Sequence, residues 1–136
     1  INYKEEKVSN KVMEITNNQG VPVVYDGVGK DTFDESIKCL STRGLMVSFG
    51  QSSGMVEKID MHKTFNPKSL FYTRPSLMGY TLNREELINC SNKVFDKMKK
   101  GDVKANIYKK FKLNEAEEAH KTLQSRKSSG SIILEP

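Results

Sequence analysis

The sequence predicts an α/β fold built on a parallel sheet, and three observations carry that reading. Two short runs, Val21-Pro-Val-Val-Tyr25 and Leu45-Met-Val-Ser-Phe49, are almost continuously apolar, the habit of strands buried on both faces. Segments with helical spacing precede and separate them, and turn-forming residues mark each change. Helix, strand, helix, strand with short turns is the alternation from which right-handed crossovers build such a sheet.

The first helix is expected from about Glu5 to Thr16, because Val8, Val12 and Ile15 recur at i, i+4 and i+7. Asn17-Asn-Gln-Gly20 stops it. Val21–Tyr25 is too short for a helix, and Pro22 sits near its start, where a strand tolerates proline. Asp26-Gly-Val-Gly29 breaks that strand, and a second helix runs from about Thr32 to Ser41 with Phe33, Ile37 and Leu40 on one face. Arg43-Gly44 ends it, Leu45–Phe49 is the second strand, and Gly50-Gln-Ser-Ser-Gly54 closes that strand as a polar loop. A looser connection containing Pro67 leads to a third strand, Ser69–Thr73.

From Thr81 the character changes. Asn83 with Glu86 three residues later forms a capping box for a helix carrying Leu87, Val94, Phe95 and Met98 as far as Gly101. Val103–Ile107 alternates like a half-buried strand, and Asn114 with Glu117 reads as a second box. Ala116, Ala119 and Leu123 share the face of the short helix that follows, and Ser131–Leu134 is the last strand. The chain thus divides near residues 73–80 into an α/β part and an α+β part.

Composition narrows the function classes. The 136 residues, 36% of them hydrophobic, suit one domain's worth of core. The net charge of +5 raises nucleic acid, but the basic residues are scattered. Lys97–Lys100 and Lys109–Lys112 read as a helix end and a solvated loop, so nucleic acid is an unlikely partner. No apolar run approaches the ~20 residues of a membrane span, and no membrane association is expected. The first residues lack a signal peptide's apolar stretch and an initiator Met, so the chain is expected to begin in the middle of something. Cys39 and Cys90, with no CxxC or Cys/His cluster, predict free thiols, a cytoplasmic protein and no structural metal.

No catalytic constellation emerges from the residues alone. His62 and His120 lack partners at motif spacing, and His120, sharing a face with Ala116 and Leu123, reads as packed or capping. The carboxylates read as solvated helix faces, and P-loop and HExxH motifs are missing. What remains is position. Open parallel sheets bind ligands outside the carboxyl ends of their strands, where Asp26–Gly29 and Gly50–Gly54 fall. Glycines there allow a ligand close to the backbone, although both loops are equally readable as tight turns.

Three stretches are more specific: Val24-Tyr-Asp-Gly-Val-Gly-Lys-Asp-Thr-Phe33, Arg43-Gly-Leu-Met-Val-Ser-Phe-Gly50 and Thr73-Arg-Pro-Ser-Leu77. With Tyr80-Thr81, Arg84-Glu-Glu-Leu87, Ala119-His120, Arg126 and Gly130-Ser131, they make the whole chain resemble the zinc-free, NADPH-dependent quinone oxidoreductases of the medium-chain dehydrogenase/reductase superfamily, the zeta-crystallin-like proteins. That resemblance implies the second half of a Rossmann-type parallel sheet (1–72, NADPH-binding), followed by the C-terminal α+β return segment of a catalytic domain (73–136). It implies a C-terminal fragment, inactive alone, whose glycine fingerprint would lie before Ile1. By the same resemblance, Tyr3 matches a residue beside the adenosine end of NADPH. Gly27 stands where relatives carry Ser or Asn near the ribose. Phe49, Gly50, Gln51 and Ser52 match the loop around the nicotinamide ribose, where Gln51 is commonly Asn. Arg74 and Pro75 match the segment passing the nicotinamide, and Arg126 an arginine reaching back toward the cofactor.

No catalytic residue and no metal ligand is assigned. The implied reaction is hydride transfer from NADPH to a quinone or related electron-poor carbonyl compound. A homo-oligomer through the sheet edges is expected, since the Ser69–Thr73 strand lies at a dimer edge in relatives. The competing readings are a non-catalytic, self-associating interaction module and, resting only on the charge, an RNA-binding protein.

Overall fold

Three parallel strands, β1 (Val21–Asp26), β2 (Leu40–Ser48) and β3 (Phe71–Thr73), lie side by side in that order. The computed structural model describes residues 1–3, 5–125 and 127–136. They form two units, Ile1–Tyr80 and Thr81–Pro136. In the first, α1 (Val8–Ile15) precedes β1, α2 (Phe33–Cys39) links β1 to β2, and α3 (Met61–Phe65) with a 3₁₀ turn at Asn66–Lys68 leads into β3; α4 (Leu77–Tyr80) ends the unit. The connection containing Pro67, expected to be loose, is thus partly helical. Asp60 makes it a helix start, its carboxylate accepting the Lys63 N–H at 3.0 Å.

Because each strand is added on the same side of the last, right-handed crossovers place their helices on one face of the sheet. The cross-strand row Val24, Met46, Tyr72 packs there with Phe33 and Ile37 of α2, Leu40, and Phe65 of α3. Leu40 and Met46 are fully buried, and the Tyr72 ring meets Phe33 edge-on at 6.3 Å. The rows on either side, Val23–Leu45–Phe71 and Tyr25–Val47–Thr73, point to the opposite face. That corrects the expectation for Val21–Tyr25: Val23 and Tyr25 of this edge strand are exposed, although Val47 beside Tyr25 in the central strand is buried. Phe49, expected to finish the second strand, lies beyond its end and is 57% exposed. The third strand is shorter than Ser69–Thr73, since Ser69 takes a left-handed conformation that ends the 3₁₀ turn.

Two carboxylates hold the helix layer. Helix α1 has no side-chain cap of its own at Lys7. Glu35 of α2 substitutes, accepting from Ser9 Oγ at 2.7 Å and Ser9 N–H at 3.3 Å while pairing with Lys38. The hydrogen bond from Lys38, followed by that from Ser9, pulls the Glu35 carboxyl down to about 2. Asp26, at the end of β1, is buried. Its Oδ1 accepts from the N–H groups of Val28 and Gly29 at 2.8 and 3.0 Å, and Thr32 Oγ1 and Ser36 Oγ reach Oδ2 at 2.8 and 2.7 Å. Burial pushes the Asp26 carboxyl upward, but the donors from Gly29, Ser36, Val28 and Thr32 together outweigh it and hold it below its ordinary value.

In the second unit, α5 (Arg84–Lys99) starts with the expected box: Asn83 Oδ1 accepts the Glu86 N–H at 3.0 Å and Glu86 Oε2 the Asn83 N–H at 3.4 Å. Strands β4 (Ile107–Lys112) and β5 (Ser131–Glu135) pair in parallel around α6 (Ala116–Gln124). The fourth strand therefore lies after the expected Val103–Ile107, within the segment expected to be a lysine-rich loop. Asn106 starts the pairing, its carbonyl accepting the Ser131 N–H at 2.7 Å, and Phe111 supplies the buried side chain while the lysines stay in solvent. Lys109 Nζ stands 4.3 Å from the centre of the Phe111 ring. The second box is not Asn114 with Glu117; Glu115 instead accepts the Lys112 N–H at 2.8 Å and opens a 3₁₀ turn at Leu113–Glu115. His120 is exposed, not packed, and Ala119 is the buried residue of α6.

Replacing Asp26 by Ala leaves its donors without an acceptor and is expected to cost about 2–4 kcal/mol in urea denaturation. Because the folded carboxyl lies below 3.8, its contribution is complete above that pH and disappears as pH falls through the lower folded value. Glu35 has the same sign over a wider window, from 4.5 down to about 2. Amide exchange in Val8–Ile15 should therefore accelerate relative to β2 as pH drops across that window. In Glu35→Gln this extra acid sensitivity should be gone.

Candidate functional site

The two glycine loops predicted at the carboxyl ends of β1 and β2 are joined by hydrogen bonds. The Asp26 carbonyl accepts from the N–H groups of Phe49 and Gly50 at 2.9 and 3.3 Å. The Ser53 N–H reaches the Val28 carbonyl at 2.9 Å, and the Lys30 N–H reaches the Gly54 carbonyl at 3.1 Å. Ser53 Oγ adds a side-chain stitch, donating to the Val28 carbonyl at 2.8 Å and accepting the Asp31 N–H at 3.0 Å. The contact is close enough to exclude side chains. A Cβ on Gly50 would stand 2.4 Å from the Gly27 carbonyl oxygen, and one on Gly29, whose φ is +90°, 2.7 Å from the Gly54 oxygen.

Beyond this seam lies a cavity of about 110 Å³ lined by Gly29, Ser48, Gly50, Gln51, Tyr72 and Arg74, among others. The expected residues Gly27, Phe49, Gly50, Gln51, Ser52 and Arg74 gather in and around the loops that form it. The Phe49 ring lies over Gly27, where an added Cβ would be 2.9 Å from the ring. Ser52 contributes its N–H to the Gly27 carbonyl at 3.4 Å. Arg74, directly after β3, donates from Nη2 to Gln51 Oε1 across the cavity mouth, and Pro75 follows it, half-buried.

Tyr3 lies elsewhere. It is 65% exposed and lines a second hollow of about 420 Å³ with Glu5, Glu6, Lys7, Thr32 and Glu35. The Gly29–Thr32 turn connects the two hollows, since Gly29 lines the first and Asp31 and Thr32 the second. Arg126 lies outside the described residues. Sequence reasoning passed over Asp26, Ser53 and Tyr72. Thr32 and Ser36 stand one helical turn apart after Asp26, but only the fold brings their hydroxyls to its carboxylate. Among the described residues no group of three or more His, Cys, Asp or Glu side chains is placed to hold a metal ion.

Comparison with known proteins fits this geometry. The chain is 45% identical over 138 aligned residues to quinone oxidoreductase 1 of Escherichia coli. It superposes on the crystal structure of Escherichia coli quinone oxidoreductase complexed with NADPH with a TM-score of 0.92, at 46% identity. In both cases all of this chain and 42% of the relative are covered. A 2-haloacrylate reductase of a Burkholderia species is 41% identical over 137 residues, again all of this chain and 41% of the relative. The chain thus spans about two-fifths of the length of the curated relatives it matches. Residues 1–134 match the model of the zinc-binding dehydrogenases, and the chain belongs to that family.

Proposed function

We propose that this chain is part of an NADPH-dependent quinone oxidoreductase and supplies half of the cofactor site. The observation that carries the reading is the seam of Gly27–Gly29 against Gly50–Gly54 at the carboxyl end of a parallel sheet. The hollow beside the seam, bordered by Ser48, Gln51 and Arg74 at the strand ends, suits the ribose and nicotinamide end of a dinucleotide. Gly27, Phe49, Gly50 and Ser52 would hold that end, with Gln51, Arg74 and Pro75 beside it. Tyr3, in the second hollow, would meet the adenosine end. Residues 1–72 belong in this reading to the NADPH-binding domain and 73–136 to the return segment of a catalytic domain.

When bound, NADPH supplies the hydride, and a quinone or related electron-poor carbonyl compound receives it. The chain's own contribution is to bind, orient and exclude water. The Asp26 carbonyl fixes the Gly50 loop, and the Phe49 ring shields the backbone of Gly27 from solvent. The 2-haloacrylate reductase favours a second acceptor class, an α,β-unsaturated acid. Neither Cys39 nor Cys90 is in a disulfide, which agrees with a cytoplasmic location, and burial pushes the Cys39 thiol up, away from reactivity. The outer edge of β3 pairs with no described strand, which supports self-association through that edge.

The 136 residues contain no glycine fingerprint for the pyrophosphate, so a polypeptide of these residues alone should bind NADPH no tighter than about millimolar in calorimetry. In the native polypeptide that carries the sequence, NADPH oxidation should proceed with a benzoquinone and slowly or not at all with 2-chloroacrylate. The reverse preference would move the assignment to the second acceptor class. Gly50→Ala forces the two loops apart and should weaken NADPH binding by about tenfold or more, since 1.4 kcal/mol of lost fit already suffices.

A further inference from the structure

The hydrogen bond from Arg74 to Gln51 joins two exposed side chains 23 residues apart, across the mouth of the cavity they both line. Both backbones are fixed. The Gln51 carbonyl accepts the Gly54 N–H at 2.9 Å, and the Gln51 Cα packs on Gly29, 3.1 Å from where a Cβ there would stand. Arg74 follows Thr73, which pairs with Val47 at the end of β3. The remaining freedom is in the side chains, and the Gln51 amide removes it from the arginine. An amide does so without cancelling the charge, as a carboxylate would, and among the described residues no carboxylate forms an ion pair with Arg74.

Building on the NADPH reading above, we propose that Gln51 is a positioning residue. It holds the Arg74 guanidinium, ordered and still cationic, at the rim of the cavity, with its other donors available to the oxygen acceptors of the bound dinucleotide. A guanidinium offers five N–H donors in a rigid fork, and Gln51 takes one. An exposed arginine that must be immobilised by its ligand costs about 0.5–1.5 kcal/mol of binding, and one already held does not. Loss of the Gln51 acceptor should therefore weaken NADPH by roughly twofold to tenfold.

The test is a double-mutant cycle in the native polypeptide that carries the sequence, with NADPH binding read by calorimetry and Arg74 side-chain order read by ¹⁵N relaxation at Nε without ligand. Gln51→Ala should raise the Kd by that factor and lower the Arg74 heteronuclear NOE, with the thermal midpoint unchanged. Gln51→Glu, which keeps the acceptor, should keep the NOE. Arg74→Ala should weaken NADPH, and the double variant should be no weaker than Arg74→Ala alone, because Gln51 acts only through the arginine. An unchanged NOE in Gln51→Ala, or additive losses in the double variant, would overturn the positioning role and leave the cofactor assignment standing. Failure of the unaltered protein to bind NADPH would overturn the cofactor assignment, and the positioning role with it.

Discussion

The Asp26 carboxylate is the contact on which the site depends. One residue ends β1, shapes the next turn and anchors the neighbouring loop. Its side chain gathers two backbone N–H groups and two hydroxyls, which sets the path from strand into α2. Its carbonyl accepts from Phe49 and Gly50, which sets the path out of β2. A buried carboxylate is costly unless its lone pairs are filled, and here the donors do more than offset the burial. The loops that line the cavity are thus positioned by the backbone on either side of one ionised group. Gly29 and Gly50 then let them touch where any Cβ would collide.

Sheet chirality explains which surfaces remain open. Strands added in one direction place their connecting helices on one face, so Met46 is buried there with Val24 packed against it, while Val23, Tyr25 and Phe71 stay exposed. Glu35, reaching from α2 to the start of α1, holds the helix layer together without adding anything to the opposite face. The outward rows still carry the apolar residues of a two-sided parallel sheet, Val23, Leu45, Val47 and Phe71. Burial on both faces was thus a sound inference about residue choice, and it failed for the surroundings these 136 residues provide.

Much of the fold was legible because it is written locally. Val8, Val12 and Ile15 mark α1, Asn83 with Glu86 caps α5, and the apolar runs at Val21 and Leu45 pair as parallel strands. The misreadings arise where tertiary pairing outranks local pattern. Val103–Ile107 alternates correctly, yet Ile132–Leu134 pairs with Lys109–Phe111, because one buried phenylalanine among solvated lysines satisfies a two-stranded sheet. Helix α3 is only five residues, too short to show periodicity, and its one clear signal is Asp60. The site was legible as two glycine loops at strand ends. The roles of Asp26 and Ser53 were not, because each depends on which donors the fold brings to a single oxygen.

A site built this way divides its work between backbone and side chains. The seam, the Asp26 carbonyl and the glycines set the shape of the hollow. A quinone oxidoreductase and a 2-haloacrylate reductase match this chain at 45% and 41% identity over all of its length. Two acceptor chemistries thus accompany nearly equal likeness over this segment. What it can tune is the hold on the donor, and there the variable elements are few: the ring of Phe49 lying over Gly27, and the Gln51 amide that keeps Arg74 in place while leaving it charged. An aspartate or glutamate at position 51 would preserve the connection and surrender the cation. The choice of an amide is what makes the bridge useful to an anionic dinucleotide, and mere loop stability would not require it.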